Sequence, residues 1–287
     1  MGDSHGSEAF WPKQMIQVTP ETIKEMVRDG GERIAAASLV QIPGFPPGSV
    51  IHDNGCGAGA ATAMILATLP SETAASVEIK GTDMDEAAIA AYNAKAAASR
   101  WPAEAVVMDA HALTFPDEAF THSIGNIMVF LTRNNGVDAV KEMRRTLKPG
   151  GTLLVNCFAR GPQLGAVREA SRSTRAGGVL PAWDSFEHWQ DPAVIAGVLE
   201  KAGFDKAAVT VVQREVFAEV GDFDRHAALT WSFRGMPSAG WSPEDEERWD
   251  EAVKIVKREL RKSEGFQIRE DGTTVVRFVM NVATATK

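Results

Sequence analysis

Apolar and polar positions along this chain follow two periods that take turns. From about residue 20 to residue 216, short apolar or β-branched runs alternate with helical patterns, the order expected of an α/β fold. Thr19-Pro20 reads as an N-cap followed by proline at the first helical position. Ile23, Met26 and Val27 then mark one face, and Gly30-Gly31 break or bend the helix. Residues 42–48 are too rich in proline and glycine to continue a helix and read as the loop leading into the core. Residues 49–53 form a short apolar strand that runs into a glycine cluster. The next stretch, 60–69, is apolar on nearly all sides, as in a helix buried against a sheet, and stops at Pro70. Residues 77–82 read as a strand and 85–99 as an alanine-rich helix. Further strands are expected at 106–108, 120–125 and 152–158, with a helix carrying Val137, Val140, Met143 and Leu147 before the last.

Asp191-Pro192 opens another helix, which Gly203 closes, and 207–216 is a β-branched run. Residues 217–272 change character, holding Trp231, Phe233, Trp241 and Trp249 in polar surroundings. Here Ser242-Pro243-Glu244-Asp245 resembles a capping box. Acidic residues fill the first turn of its helix, and Lys257, Arg258, Arg261 and Lys262 the last, complementing the macrodipole. A final strand is expected at 273–283.

Four places carry candidate chemistry. Residues 53–59, Asp-Asn-Gly-Cys-Gly-Ala-Gly, follow a strand and precede a helix. Glycines there let a ligand approach backbone N–H groups at a helix N-terminus, although a merely tight turn or a dinucleotide loop fits the same letters. Asp83, in Gly-Thr-Asp-Met at 81–84, closes the next strand, where a carboxylate can accept both hydroxyls of a ribose. The alternative is a helix cap, a role open to Asp85 instead. Asp109 ends a third strand, placed to accept from an amino group. Residues 147–151, Leu-Lys-Pro-Gly-Gly, read as a sharp structural turn.

Composition narrows the partners. With 287 residues, 44% hydrophobic and 24% charged, the chain is long enough for two domains or one elaborated domain. Thirty Lys and Arg against thirty-eight Asp and Glu leave a net charge of −8, which argues against a protein that tracks nucleic-acid phosphates. No apolar run is long enough to span a membrane. Residues 1–6 lack the basic and apolar regions of a secretory signal and miss the myristoylation pattern, and Cys56 and Cys157 cannot by themselves make a disulfide framework or zinc site. The expectation is a soluble cytoplasmic protein with no metal, no nucleic-acid partner and no membrane partner.

Taken in order, the four features resemble the class I S-adenosylmethionine-dependent methyltransferases over roughly residues 49–160, and more loosely to the C-terminal strands. The resemblance implies a Rossmann-like α/β fold, mostly parallel, with an antiparallel C-terminal hairpin and helices on both faces. It implies S-adenosylmethionine as cofactor. Asp53, Gly55, Cys56 and Gly57 would surround its methionine part, Asp83 its ribose and Met84 its adenine. Asp109 and Ala110 would meet the adenine edge, and the backbone of Asn126 and Ile127 the amino group. The sequence Gly125-Asn126-Ile127-Met128 lacks the Asn-Pro-Pro-Tyr pattern for methylating a base or glutamine amide, which with the charge points to a small-molecule S, O or N nucleophile. The flanking segments look similar to small-molecule enzymes of secondary metabolism, fungal thiol or hydroxyl methyltransferases among them. Residues 1–48 are expected as a helical lid, 49–216 with 273–287 as the core, and 217–272 as an insertion shaping the substrate pocket. Trp11, Met15, Phe130, Trp183 and Trp231 are its expected walls. His188 and His226 are the histidines that lie outside the core in aromatic segments, hence candidates for proton transfer. Competing readings are a cofactor-binding enzyme that catalyses a rearrangement, a nonenzymatic binding protein, and a nicotinamide-dependent oxidoreductase.

Overall fold

A computed structural model describes residues 9–287; the leader reading of residues 1–6 and the first eight residues of the expected lid lie outside it. In chain order the elements are α1 (Pro20–Val27), α2 (Gly30–Leu39), β1 (Val50–Asn54), α3 (Ala60–Thr68), α4 (Ser71–Ser76), β2 (Glu78–Asp83) and α5 (Glu86–Ser99). Next come β3 (Ala103–Val107), β4 (Phe120–Gly125), α6 (Val137–Thr146), β5 (Leu147–Arg160), α7 (Pro162–Thr174), α8 (Pro192–Lys201) and β6 (Val209–Val220). The chain ends with α9 (Phe223–Arg234), α10 (Pro243–Glu247), α11 (Trp249–Lys262), β7 (Gln267–Ile268) and β8 (Thr274–Thr286). No helix among the described residues is long and apolar enough to cross a membrane.

The chain divides into two compact units. One comprises Asp29–Arg160, His188–Ala218 and Phe278–Lys287; the other holds the chain up to Arg28 together with Gly161–Glu187 and Glu219–Arg277. The first is built on a sheet of order β3-β2-β1-β4-β5-β8-β6, with β7 pairing with β8 off this path. β1, β2, β3, β4 and β5 run parallel, and β8 is antiparallel to β5. This is the expected α/β fold; the expected insertion at 217–272 overlaps the sheet at both ends, since β6 runs to Val220 and β7 pairs with β8. Ile51, Ile65, Ile79, Ile124, Leu154 and Met280 make its sealed core, joined by Ile34, Ala35 and Leu39 of α2. The N-terminal segment therefore divides at Arg28: α2 belongs to the sheet unit's core and α1 to the helical unit.

Parallel order 3-2-1-4-5 places a topological switch between β1 and β4, because β1 leads to β2 on one side while the chain later returns to β4 on the other. In open α/β sheets, ligands bind beyond the C-terminal strand ends at such a switch. The loop after β1 stands there.

The strand expected at 152–158 begins at Leu147. Gly150 N–H donates to the Lys287 carbonyl and Lys287 N–H to that of Gly151 (2.8 and 3.0 Å), so the chain terminus pairs with the Pro-Gly-Gly turn. A register shift between Phe120 and His122 absorbs the extra residues as a bulge.

In the helical unit, α7, α9 and α11 surround Trp231, Trp241 and Trp249, whose ring centroids lie 5.1–6.2 Å apart. Arg175, nearly sealed from solvent, lies over Trp231 and Trp241 (4.9 and 5.5 Å) and pairs with buried Asp245 at 2.7 Å. Asp245 also closes the capping box foreseen at Ser242, accepting from the Ser242 N–H at 2.9 Å.

Candidate active site

β1 delivers Asp53 and Asn54 to the switch point, and the chain turns at once through Gly55, Cys56 and Gly57 into α3. Gly55 and Gly57 have φ of +67° and +50°, which L side chains rarely adopt. A Cβ on Gly55 would strike Met128 at 2.7 Å, whereas one on Gly57 would enter open space. Gly55 is thus required by packing, and Gly57 leaves room beside the backbone. The Gly55 and Cys56 N–H groups donate to the Thr82 carbonyl, and Gly57 N–H donates to Asp83 Oδ2 at 2.9 Å. The Cys56 side chain turns inward beside Ile89, Tyr92, Ala96 and Ala105. Burial pushes its thiol up, so it supplies no thiolate.

Asp53 is sealed inside. Its Oδ2 accepts from Thr62 N–H (3.1 Å) and Oγ1 (2.7 Å), and the chain's single tyrosine, Tyr92, bonds the Thr62 hydroxyl at 2.8 Å. Thr62 spends its proton on the carboxylate, so Tyr92 donates to it. Oδ1 has no partner. Desolvation, ahead of the opposing Thr62 bonds and with Asp83 nearby, lifts the Asp53 carboxyl from 3.8 to about 6. Thr62 and Tyr92 escaped sequence reading; the signals available were a threonine near the start of an apolar helix and a lone tyrosine in an alanine-rich one.

Asp83, half-buried at the end of β2, also accepts the Asp85 N–H through Oδ1 at 3.0 Å, while Asp85 caps α5. Met84 beside it is 67% exposed, a free thioether face at the strand end. Beyond β3, Asp109 Oδ1 accepts from the His111 N–H and Nδ1 (2.9 and 2.6 Å), and Oδ2 from Arg133 at 3.0 Å. His111 Nε2 accepts from the Arg133 N–H, so the ring proton sits on Nδ1. These bonds hold the Asp109 carboxyl below its usual range. Ala110 is buried next to it.

At the end of β4, Asn126 donates to the Gly31 carbonyl (3.2 Å) and accepts from Asn156 (2.8 Å); Asn156 also bonds Ser38 of α2 and accepts the Ile127 N–H at 2.7 Å. Ile127 has φ of +60°, a strained conformation for a β-branched residue, held by that bond. None of this network was visible in the sequence.

The remaining expected residues fall in both units. In the sheet unit, Phe130 is buried edge-on to Phe158 and Trp189, and exposed His188 lines a groove of about 370 Å³ with Asn134, Asn135 and Lys201. In the helical unit Trp11 is exposed, Met15 packs on the tryptophan cluster, Trp183 packs tilted against Phe186, and Trp231 is wholly buried. His226 is buried on α9, and desolvation followed by the Arg234 charge drives its imidazole to about 4.

Fold and site geometry together are those of an open α/β protein with a glycine loop and a carboxylate at the switch point of its sheet. Residues 51–151 match a family described as a methyltransferase domain. The chain is 22% identical over 245 residues to methyltransferase tpcH of Aspergillus fumigatus, covering 83% of this chain and 84% of that protein. It is 23% identical over 261 residues to methyltransferase ktnA of Aspergillus niger, at the same coverage. A solved S-adenosylmethionine-dependent methyltransferase of Aquifex aeolicus shares its fold, with TM-score 0.50, 15% identity, and 69% of this chain and 94% of that chain covered. Residues 51–151 thus carry a methyltransferase domain, and the relatives and the fold support a class I S-adenosylmethionine-dependent methyltransferase.

The residues present fit the cofactor. Open space beside Gly57, the unpartnered Oδ1 of buried Asp53 and the exposed face of Met84 are features a packed turn alone does not require.

Proposed function

We propose that this enzyme methylates an S, O or N nucleophile of a small molecule, a secondary metabolite being the class that its sequence resemblance suggests. The Gly57–Asp83 hydrogen bond carries the reading of the site: it sets a carboxylate and an open glycine backbone side by side at the switch point. In this reading Asp83 holds the ribose hydroxyls, Met84 covers the adenine, and Asp109 and Ala110 meet its edge. The backbone at Gly55, Cys56 and Gly57, with Asp53 behind it, follows the methionine part, and that of Asn126 and Ile127 meets its amino group. Bound there, S-adenosylmethionine supplies a sulfonium-borne methyl group for in-line displacement.

The protein's own part is orientation and exclusion of water. A thiol acceptor, with pKa near 8.5, is already partly ionised and needs little help, whereas an alcohol requires a base. His226, pushed to about 4, is neutral at pH 7 but a weak base, so it is better suited to donate a hydrogen bond than to remove a proton. His188 is left as the candidate base.

The net charge of −8 supports a small acceptor over a nucleic acid. Incubating the enzyme with methyl-labelled cofactor and small-molecule extracts, with mass spectrometry of the products, tests this. A labelled methylated product together with S-adenosylhomocysteine is expected; turnover without release of S-adenosylhomocysteine would overturn it. Asp83→Asn removes one acceptor while keeping the shape. It is expected to weaken S-adenosylhomocysteine binding by about 2 kcal/mol, roughly 30-fold, in calorimetry with the melting temperature little changed. Wild-type affinity would remove Asp83 from the site.

A further inference from the structure

Three polar side chains on α9 stand at positions i, i+4 and i+8: His226, Thr230 and Arg234. At that spacing they line one face of the helix. Thr230 is fully buried and His226 is 4% exposed. His226 Nε2, Thr230 Oγ1 and Arg234 Nε are all shielded from solvent and have no hydrogen-bond partner among the described residues.

Each omission has an obvious remedy that the fold does not use. A threonine inside a helix can satisfy itself by donating to the carbonyl four residues back, as Thr174 does to Ala170 and, with serine, Ser232 to Ala228 (both 2.8 Å). Thr230 makes no such bond. An arginine drawn into the fold can be met by a carboxylate, as buried Arg175 is by Asp245, and Arg234 is half-buried with its Nε sealed. Among the described residues no carboxylate pairs with Arg234. The acidic groups flanking Trp183 are engaged elsewhere: Arg168 takes Asp184 at 2.6 Å and Glu187 at 3.0 Å. Arg234 instead lies against the Trp183 ring, 4.5 Å from its centroid. A guanidinium stacked by its face keeps its N–H edge for a planar acceptor.

The face thus offers one uncompensated positive charge, a hydroxyl and a neutral imidazole, all able to donate. Its complement is a planar monoanion. A phosphate dianion would be left with charge unmatched by a single guanidinium. We propose that this face of α9 binds the carboxylate of an aromatic or similarly flat small molecule, with Arg234 as the ion-pair partner, Thr230 and His226 as added donors, and Trp183 against the guanidinium. That this ligand is the methyl acceptor rests on the methyl-transfer reading above; the carboxylate site does not.

The test is calorimetric titration of the intact protein with benzoate, benzamide and S-adenosylhomocysteine, in wild type, Arg234→Met, Arg234→Lys and Thr230→Val. Benzoate is expected to bind wild type at least tenfold more tightly than uncharged benzamide. Arg234→Met should lose at least tenfold in benzoate affinity, and Arg234→Lys should retain part of it. Thr230→Val, an isosteric change, should lose several-fold even if Arg234→Met fails to fold. S-adenosylhomocysteine affinity should be unchanged in every folded variant. Equal binding of benzoate and benzamide, no benzoate uptake by wild type at millimolar concentration, or full affinity in Thr230→Val and Arg234→Met would overturn the proposal. Benzoate binding without S-adenosylhomocysteine binding would leave this site standing and remove the methyl-transfer reading instead.

Discussion

Replacing Thr62 with valine keeps the shape of the side chain and removes its hydroxyl from the centre of a buried chain, Tyr92 to Thr62 to Asp53. Asp53 would retain only the Thr62 N–H, and Tyr92, itself fully buried, would be left without its acceptor. A hydrogen bond to a charged group contributes about 1.5–3 kcal/mol, and stranding a buried hydroxyl costs about 1–3 kcal/mol. The expected loss is therefore about 3 kcal/mol at pH 8, read from urea denaturation followed by circular dichroism. The loss should depend on pH, with a sign set by the Asp53 carboxyl. Its pKa is raised from 3.8 on unfolding to about 6 in the fold, so its ionised form is penalised in the native state by about 3 kcal/mol above pH 6. That penalty fades as pH falls from 6 toward 4. Below pH 6 the Thr62 bond meets a neutral acid and is worth less, so the effect of Thr62→Val should shrink to about 2 kcal/mol at pH 5. Adding Tyr92→Phe removes the stranded hydroxyl and should restore about 1 kcal/mol at either pH. A loss below about 0.5 kcal/mol, or one identical at pH 5 and pH 8 and indifferent to Tyr92, would refute the assigned chain.

Two more expectations follow from buried charge and buried imidazole. Arg175→Met leaves buried Asp245 without its cation, removes the guanidinium from Trp231 and Trp241, and should destabilise the helical unit by about 3–5 kcal/mol; Asp245→Leu in that background should recover a good part, as double-mutant denaturation would show. His52, held between Thr82 Oγ1 and Ser123 Oγ and stacked on Phe120, is kept neutral by burial down to about pH 3. Its folded pKa lies below the unfolded 6.5, so stability from it is lost as pH falls from 6.5 toward 3. Relative to His52→Gln, wild type should lose about 1.4 kcal/mol per pH unit between pH 6 and pH 4; a constant difference between the two would show that His52 is not buried neutral.

What the sequence determined by itself was local. A strand, a turn with three glycines and a helix had to follow one another at 50–68, because glycine takes the positive φ at 55 and 57 most easily and because 60–68 is too apolar to face water. Asp83 could be placed at a strand end because its neighbours fix the period and the punctuation, whereas Asp109, expected to end a strand at 106–108, stands two residues past the end of β3. Where the sequence reading departed from the fold, the cause was distance along the chain. β5 starts at Leu147 because Lys287 pairs with Gly150 and Gly151, and α2 joins the sheet's core because Asn126 and Asn156 bond it from strands about 100 residues away. Trp231 illustrates the same limit. Its polar neighbours in sequence suggested a pocket wall, yet in space Trp241, Trp249 and Arg175 enclose it. Periodicity reports which face of an element is buried, but not against what. Only tertiary structure could show that Asp53 is held by Thr62, itself bonded by Tyr92, while Arg234, half-buried, pairs with no carboxylate among the described residues. A buried polar group depends on whether a partner lies within about 3 Å, and that distance is set by the packing of segments remote in the chain.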